Sequence, residues 1–205
     1  TGGGNLNGFQ VAGNNIQGNS LGGLVMDSGP AMGWEVSGNT IEGNGGHQVD
    51  LLFPRGWDFH GNYLEPPPGN FSSLIRIQRG TALGFHHNLM VGTHTGGTQT
   101  AAIIELGLNA SGLLVQGLTI QGNTIADAAC AWSFDLGRSV TIRQNVSYFG
   151  LTKELCGPVA GGAPNVLEGL SFESMTQDII AGQPVSIIES TPTVFGRDNA
   201  AVNLL

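Results

Sequence analysis

Hydrophobic and polar positions recur along the chain in one short pattern. An apolar residue, any residue and a second apolar residue are followed by two polar or small residues, an asparagine, any residue and a last apolar residue. The first copy is Phe9-x-Val11-x-x-Asn14-x-Ile16, and the sixth copy has Ser147 at its final apolar position. The six asparagines are Asn14, Asn39, Asn62, Asn88, Asn123 and Asn145. Their spacings of 25, 23, 26, 35 and 22 residues are typical of a solenoid, with one insertion before the fifth copy.

A second module, which ends in glycine, lies between these copies. Its copies occupy residues 24–29, 51–56, 75–80, 102–107 and 132–137. In each copy the first and third residues are expected to point inward, as in a β-strand. Two strands per repeat, joined by Gly and Asn turns, indicate a stack of turns about 4.8 Å apart.

The pattern therefore predicts an all-β fold, a right-handed single-stranded parallel β-helix of about six coils over residues 1–147. Residues 148–205 are predicted to hold the last coil or coils, a loop, and a C-terminal cap or trimerisation segment, because a solenoid must cover its open edge. We expect the asparagines to form a ladder of amide hydrogen bonds and to tolerate left-handed backbone dihedrals at the turn. The glycine that precedes four of them would allow the bend.

The leucine-rich repeat is the structural alternative, because its L-x-L-x-x-N-x-L core has the same spacing. Its upstream leucine is not consistently present here, and the bulky positions are Trp, Phe, Val and Ile. The second module also has a strand pattern where that fold often has a helix. The β-helix is therefore favoured.

The Gly-Asn-x-Ile copies, over roughly Asn5 to Ser147, resemble the parallel β-helix repeats of the pectate-lyase-like superfamily. That superfamily includes polysaccharide lyases, glycoside hydrolases, epimerases, and the trimeric tailspikes and tail fibres with which bacteriophages hold host surface glycans. No catalytic motif specific to one member is visible. The chain looks most like a tailspike or tail-fibre fragment, a resemblance that implies a homotrimer in the virion tail or the extracellular space.

Composition narrows the range of partners. The chain has 34 glycines, only 11% charged residues and a formal net charge of −8. This charge argues against nucleic acid, which requires clustered Lys and Arg. No apolar run approaches the roughly 18 residues of a membrane span, so we expect no membrane insertion. The repeat starts almost at residue 1, from which we expect a piece of a longer protein. The two cysteines, Cys130 and Cys156, leave the redox state open.

Stacking places outward residues of one repeat position in a column, so acids far apart in sequence become neighbours. Glu35 and Asp58 occupy the same outward position in consecutive coils, and Glu105 and Asp135 are expected to share a column in the second module. Asp27 and Gln78 are expected to precede them there. Carboxylates about 5 Å apart suit a retaining glycosidase, so these four acids are the candidate catalytic residues. The alternative is that they are solvated surface acids.

Five residues are candidates for substrate binding. His60 and His86 share an outward column, Tyr63 could stack on a sugar ring, and Arg76 and Arg79 could hold an acidic sugar or neutralise neighbouring acids. Two histidines without a third ligand do not predict a metal site, and no cofactor is expected.

Three functions fit this pattern. Recognition of a host-surface glycan by a phage tailspike or tail fibre is the first. A polysaccharide lyase or glycoside hydrolase on the same fold is the second, and a rigid structural spacer without a ligand is the third. Cleavage of a polysaccharide would separate the enzyme from the binding protein, and a trimer would support the tailspike.

Overall fold

The computed structural model describes residues 6–27, 31–95, 98–106, 115–134, 137–143, 146–147, 153–156, 165–168, 171–172 and 185–187. Their regular structure is entirely β-strand, with no helix in these ranges. In chain order the strands are β1 (Leu6–Asn7), β2 (Gln10–Ala12), β3 (Asn15–Gln17), β4 (Leu24–Met26), β5 (Ala31–Met32), β6 (Glu35–Ser37), β7 (Thr40–Glu42), β8 (Val49–Leu51), β9 (Pro54–His60), β10 (Tyr63–Glu65), β11 (Ile75–Ile77), β12 (Gly80–His86), β13 (Leu89–Val91), β14 (His94–Thr95), β15 (Thr98–Leu106), β16 (Val115–Gln121), β17 (Thr124–Ala126), β18 (Ala128–Phe134), β19 (Gly137–Arg143), β20 (Val146–Ser147), β21 (Lys153–Cys156), β22 (Asn165–Glu168), β23 (Ser171–Phe172) and β24 (Val185–Ile187).

Three sheets run along the stack. Within the described ranges, sheet 1 has ten strands that include β6, β9, β12 and β16, sheet 2 has seven that include β7, β10 and β13, and sheet 3 has seven that include β8, β11 and β15. The pairs are parallel except that β14 runs antiparallel to β15. From β1 to β23, successive turns visit the three sheets in the same order. The protein is a parallel β-solenoid, and the predicted fold class is confirmed.

About four turns, between Ala31 and Trp132, have a described and buried interior, compared with the six coils expected. Strands extend the stack at both ends. Beyond Ser147, β21 to β24 join the same three sheets in parallel. Most of the segment predicted as a cap lies outside the described residues, so that boundary stays a prediction. Cys130 on β18 is buried and disulfide-bonded, which the count of cysteines could not decide.

Alternation of inward and outward residues builds the core. On β9, Trp57 and Phe59 point inward and are buried, and their register partners on β12, Leu83 and Phe85, are buried as well. The rings of Phe59 and Phe85 lie 5.2 Å apart. Full burial of one such side chain contributes about 1.5–3 kcal/mol, so like residues stacked in successive turns supply most of the cohesion.

The five described asparagines of the repeat form the expected ladder. Asn62 Oδ1 accepts hydrogen bonds from the backbone N–H and the Nδ2 of Asn39, both at 2.9 Å. Asn62 donates in the same way to Asn88 Oδ1 at 3.0 Å. The ladder begins at Asn14 and continues to Asn123, while Asn145 lies outside the described residues.

At the corner between sheets 1 and 2, the residue in the left-handed conformation is the one before the ladder asparagine, whereas the sequence predicts this conformation for the asparagine itself. Gly13, Gly38, Gly61 and Gly122 have φ values from +62° to +65°. Glycine adopts this conformation without steric cost, and this leaves the asparagine side chain free to enter the ladder. In the remaining described turn the position is His87, with φ +55°.

A second, shorter ladder was not predicted. Asn19 donates from its backbone N–H and its Nδ2 to Asn44 Oδ1, at 3.0 and 2.9 Å. Each of these residues follows a left-handed glycine, Gly18 or Gly43, five residues after the first ladder position. The sequence signal for this ladder is the Gly-Asn pair that recurs at residues 18–19 and 43–44.

The predicted alignment of sheet 3 was wrong by two residues in two turns. The inward register runs through Leu24, Val49, Ile75, Ile104 and Trp132. A two-residue slip preserves the inward and outward alternation, so the apolar pattern alone could not exclude it. As a result Glu105 leaves the predicted column, whereas Asp27 and Gln78 keep their mutual register through Leu52. Glu105 is instead the register partner of Arg76 and Ser133.

Candidate functional site

Two columns of polar residues run along the outward face of sheet 1. The first column contains, in successive turns, Gln10, Glu35, Asp58, Gly84 and Thr119. The second contains Ala12, Ser37, His60, His86 and Gln121. Each residue of the first column lies four positions before the ladder asparagine of its turn in the sequence, and each residue of the second column lies two positions before it. The ladder therefore fixes the register of the whole face.

Within these columns each acid contacts a histidine of the next turn. Glu35 Oε1 lies 3.4 Å from His60 Nε2, and Asp58 Oδ1 lies 2.5 Å from His86 Nε2. Glu35 also accepts hydrogen bonds from Ser37 Oγ at 3.0 Å and Gln10 Nε2 at 3.1 Å. The structure thus brings together four of the predicted site residues in two acid–histidine pairs.

The two pairs are joined through their rings. His60 and His86 stack with centroids 5.0 Å apart and planes 8° from parallel. His86 Nδ1 lies 3.2 Å from Nδ1 of His87, whose ring stands edge-on to it. Both ring nitrogens of His86 therefore have partners. In one consistent proton arrangement His87 Nδ1–H donates to His86 and His86 Nε2–H donates to Asp58, so that exposed His87 Nε2 can accept a proton.

Two residues near these pairs have strained backbones. Ala82 and His87 both have φ +55°, in the region that costs L-residues about 1–2 kcal/mol. The register partners of Ala82 in neighbouring turns are glycines, Gly56 and Gly117, with φ +60° and +64°. Strained non-glycine residues are enriched at functional sites, and Asp127, with φ +54°, is the third such residue in the described ranges.

A groove of about 520 Å³ lies beside the Asp58–His86 pair. It spans three turns on β9, β12 and β16. Its lining residues are Gly56, Trp57, Asp58, Ala82, Gly84, His86, His87, Thr119 and Gln121. Glycine and alanine thus line one part, and carboxylate, imidazole, hydroxyl and amide groups line the rest. This volume lies within the range of about 300–1,000 Å³ that is typical of small-molecule sites.

Tyr63 lies apart from this groove, on the outward face of sheet 2. Its hydroxyl donates a hydrogen bond to Glu65, which is the register partner of Glu42 on the preceding turn. Burial, this hydrogen bond and the charges of Glu65 and Glu42 raise the pKa of Tyr63 to about 12. The predicted role of Tyr63 as a sugar platform is untested, and the opposed carboxylates of Glu42 and Glu65 were not predicted.

The predicted site residues of sheet 3 form a separate charged stripe. Arg76 holds Asp50 with two hydrogen bonds, Nε to Oδ1 at 2.9 Å and Nη2 to Oδ2 at 2.5 Å. Hydrogen bonding to Asp50 raises the pKa of Arg76, and Glu105 adds a favourable charge. Glu105 itself accepts a hydrogen bond from Ser73 Oγ at 2.6 Å. This arginine neutralises neighbouring acids, and Asp135 lies outside the described residues.

Arg79 is also engaged with the protein. Its guanidinium lies 4.8 Å from the centroid of the Phe53 ring, and that of Arg55 lies 4.2 Å from the same centroid. Such cation–π contacts contribute about 0.5–1 kcal/mol each at exposed sites. Neither Arg76 nor Arg79 lines the groove of sheet 1.

Neither a metal cluster nor a membrane span is found in the part of the chain that the structure describes. No three or more of its His, Cys, Asp or Glu residues are arranged to hold a metal ion. It also contains no helix of the length and apolarity needed to cross a membrane.

Comparison with known proteins gave no relative. No family model, no curated protein and no solved structure matches the chain. The site must therefore be interpreted from its own chemistry.

Proposed function

We propose that the protein binds a polysaccharide along the outward face of sheet 1. The observation that supports this proposal is the arrangement of Asp58, His86 and His87 beside the groove on β9, β12 and β16. Carboxylate, imidazole, amide and hydroxyl groups are the partners that sugar hydroxyls use, and strands hold them rigidly. A solenoid also repeats its surface about every 4.8 Å, which suits an extended, repetitive ligand.

The biological setting we propose is a phage tailspike or tail fibre that holds host-surface glycans, located on the virion or outside the cell. The parallel β-solenoid and the resemblance of its repeats to the pectate-lyase-like superfamily support this setting. It implies a homotrimer. Light scattering should then give three times the mass of one chain, and a strictly monomeric full-length protein would contradict the tailspike assignment.

Binding can be tested by calorimetry against a panel of bacterial capsular and O-antigen polysaccharides and pectin. A ligand found in this way should bind Asp58→Asn and His86→Ala at least about tenfold more weakly, the equivalent of one lost charged hydrogen bond. Glu42→Gln, the same kind of change on sheet 2, is the matched control and should bind normally. Equal loss in all three variants, or no binding by the unaltered protein, would contradict the proposal.

Cleavage of the polysaccharide is the second candidate function. Glu35 and Asp58 are register partners on adjacent strands, about 4.8 Å apart in the backbone, and the Asp58–His86–His87 chain could accept a proton. New reducing ends without the absorbance of an unsaturated uronate would indicate a hydrolase, and reducing ends together with that absorbance would indicate a lyase. Activity that survives both Asp58→Asn and His87→Ala would show that these residues are not catalytic.

A further inference from the structure

Gly84 interrupts the first polar column of sheet 1. Its register partners in the neighbouring turns are Asp58 and Thr119, and Glu35 lies one turn further away. Among the described members of this column it is the one residue without a side chain. The missing side chain leaves a notch in the groove wall between Asp58 on β9 and Thr119 on β16, with His86 two residues further along β12.

Neither the backbone nor the space around Gly84 requires glycine. Unlike Gly56 and Gly117, Gly84 does not have a positive φ. A Cβ at this position would lie 3.4 Å from Asp58 Oδ1, 3.7 Å from His86 Cδ2 and 3.9 Å from the carbonyl oxygen of Trp57. These are ordinary van der Waals distances, so the fold would accept alanine. The consequence of glycine here is open space next to the Asp58–His86 pair.

The groups around the notch select an uncharged, hydroxyl-rich ligand. The described residues that line the groove include no Lys or Arg, and the chain as a whole carries a net charge of −8. An anionic sugar in the groove would lie beside the Asp58 carboxylate with no permanent cation among these lining residues, which is unfavourable. Sugar hydroxyls, in contrast, can donate to Asp58 and Thr119 and exchange hydrogen bonds with His87 and Gln121.

We propose that the Gly84 notch is the subsite that takes one neutral hexopyranose ring of the bound polysaccharide. This inference rests on the proposed function. Asp58 accepts hydrogen bonds from ring hydroxyls, and His86 holds Asp58 in place through its 2.5 Å contact. Gly84 sets the specificity by leaving room for the ring. A larger residue at position 84 occupies the space of the sugar without touching the core.

The test compares Gly84→Ala and Gly84→Val with the unaltered protein, using calorimetry with a polysaccharide from the panel that binds. Gly84→Val should weaken binding at least about tenfold and Gly84→Ala less, while the melting temperature of Gly84→Ala should not fall. Should Gly84→Val fold poorly, Gly84→Ala alone decides, because its Cβ already enters the notch. Equal affinity in the unaltered protein and a folded variant would overturn the subsite and leave the proposed function standing.

Monosaccharide probes test the ligand class separately. Saturation-transfer NMR with methyl glucoside, methyl galactoside, glucuronate and galacturonate should show contact for at least one neutral sugar, and the contact should disappear in Gly84→Val. Stronger contact with a uronate, or contact that persists in Gly84→Val, would overturn the inference. If the unaltered protein binds no polysaccharide of the panel, the proposed function fails together with it.

Discussion

The corner between sheets 1 and 2 places one residue per turn in the left-handed region of backbone space. Four of the five described turns use glycine there, and the fifth uses His87. His87 contacts His86 and lines the groove. The one described corner that lacks glycine therefore lies at the candidate site. The sequence showed this exception, because every other described ladder asparagine follows a glycine, but its significance depends on the contacts of the side chain.

Replacing His87 with glycine should raise stability and weaken binding. Relief of the left-handed strain, about 1–2 kcal/mol, exceeds the entropic cost of glycine, about 0.4–1 kcal/mol, so the free energy of unfolding should rise by about 0.5–1 kcal/mol. Urea unfolding measures this change, and calorimetry with the polysaccharide measures the binding. The reverse exchange, Gly61→His, is the control and should destabilise. A destabilised His87→Gly variant would show that its contacts outweigh the strain.

The raised pKa of Tyr63 predicts a loss of stability in alkali. Because the folded state holds the phenol proton to a pKa of about 12, compared with about 10 in an unfolded chain, this contribution is complete below pH 10 and is lost as the pH rises to about 12. Phenolate absorbance at 295 nm in a Tyr148→Phe background should give the Tyr63 midpoint. Glu65→Gln should lower that midpoint, since it removes the negative charge of Glu65, which disfavours the phenolate. A midpoint near pH 10 in the folded protein would contradict the described contacts.

At the scale of the element, the register between neighbouring strands determines which site residues the sequence could place correctly. Glu35, Asp58, His60 and His86 lie at a constant distance from a ladder asparagine, so the sequence could bring them together. Glu105 lies in the other module, which has no such anchor, and the alternation of apolar residues permits a slip of two. The sequence therefore predicted the polar face of sheet 1 and misplaced that of sheet 3.

The corrected register of sheet 3 can be tested with a double-mutant cycle. Arg76→Gln and Asp50→Asn should show a coupling of about 0.5–1 kcal/mol in urea unfolding, as expected for a partly exposed pair with good geometry. The predicted alignment placed Gln78 and Glu105 next to each other in adjacent turns. The effects of Gln78→Ala and Glu105→Gln on the free energy of unfolding should instead be additive. Coupling in the second pair and additivity in the first would restore the rejected alignment.

At the scale of the whole molecule, the candidate site depends on the stacking of successive turns of the solenoid. Residues that lie 23 to 35 positions apart become hydrogen-bonded neighbours through the ladder, and the acid–histidine pairs and the groove exist only because successive turns coincide. No short segment of the sequence contains both partners of such a contact. This explains why the groove and the notch at Gly84 could not be predicted before the strands were aligned.

The register of these turns can be measured directly by NOE spectroscopy on the deuterated, ¹⁵N-labelled protein. Amide–amide cross-peaks should join Phe59 to Phe85 and Phe85 to Ile120, the partners across the parallel strands of sheet 1. Cross-peaks displaced by two residues, such as Phe59 with Leu83, or none between these strands, would contradict the solenoid stacking and the site built on it.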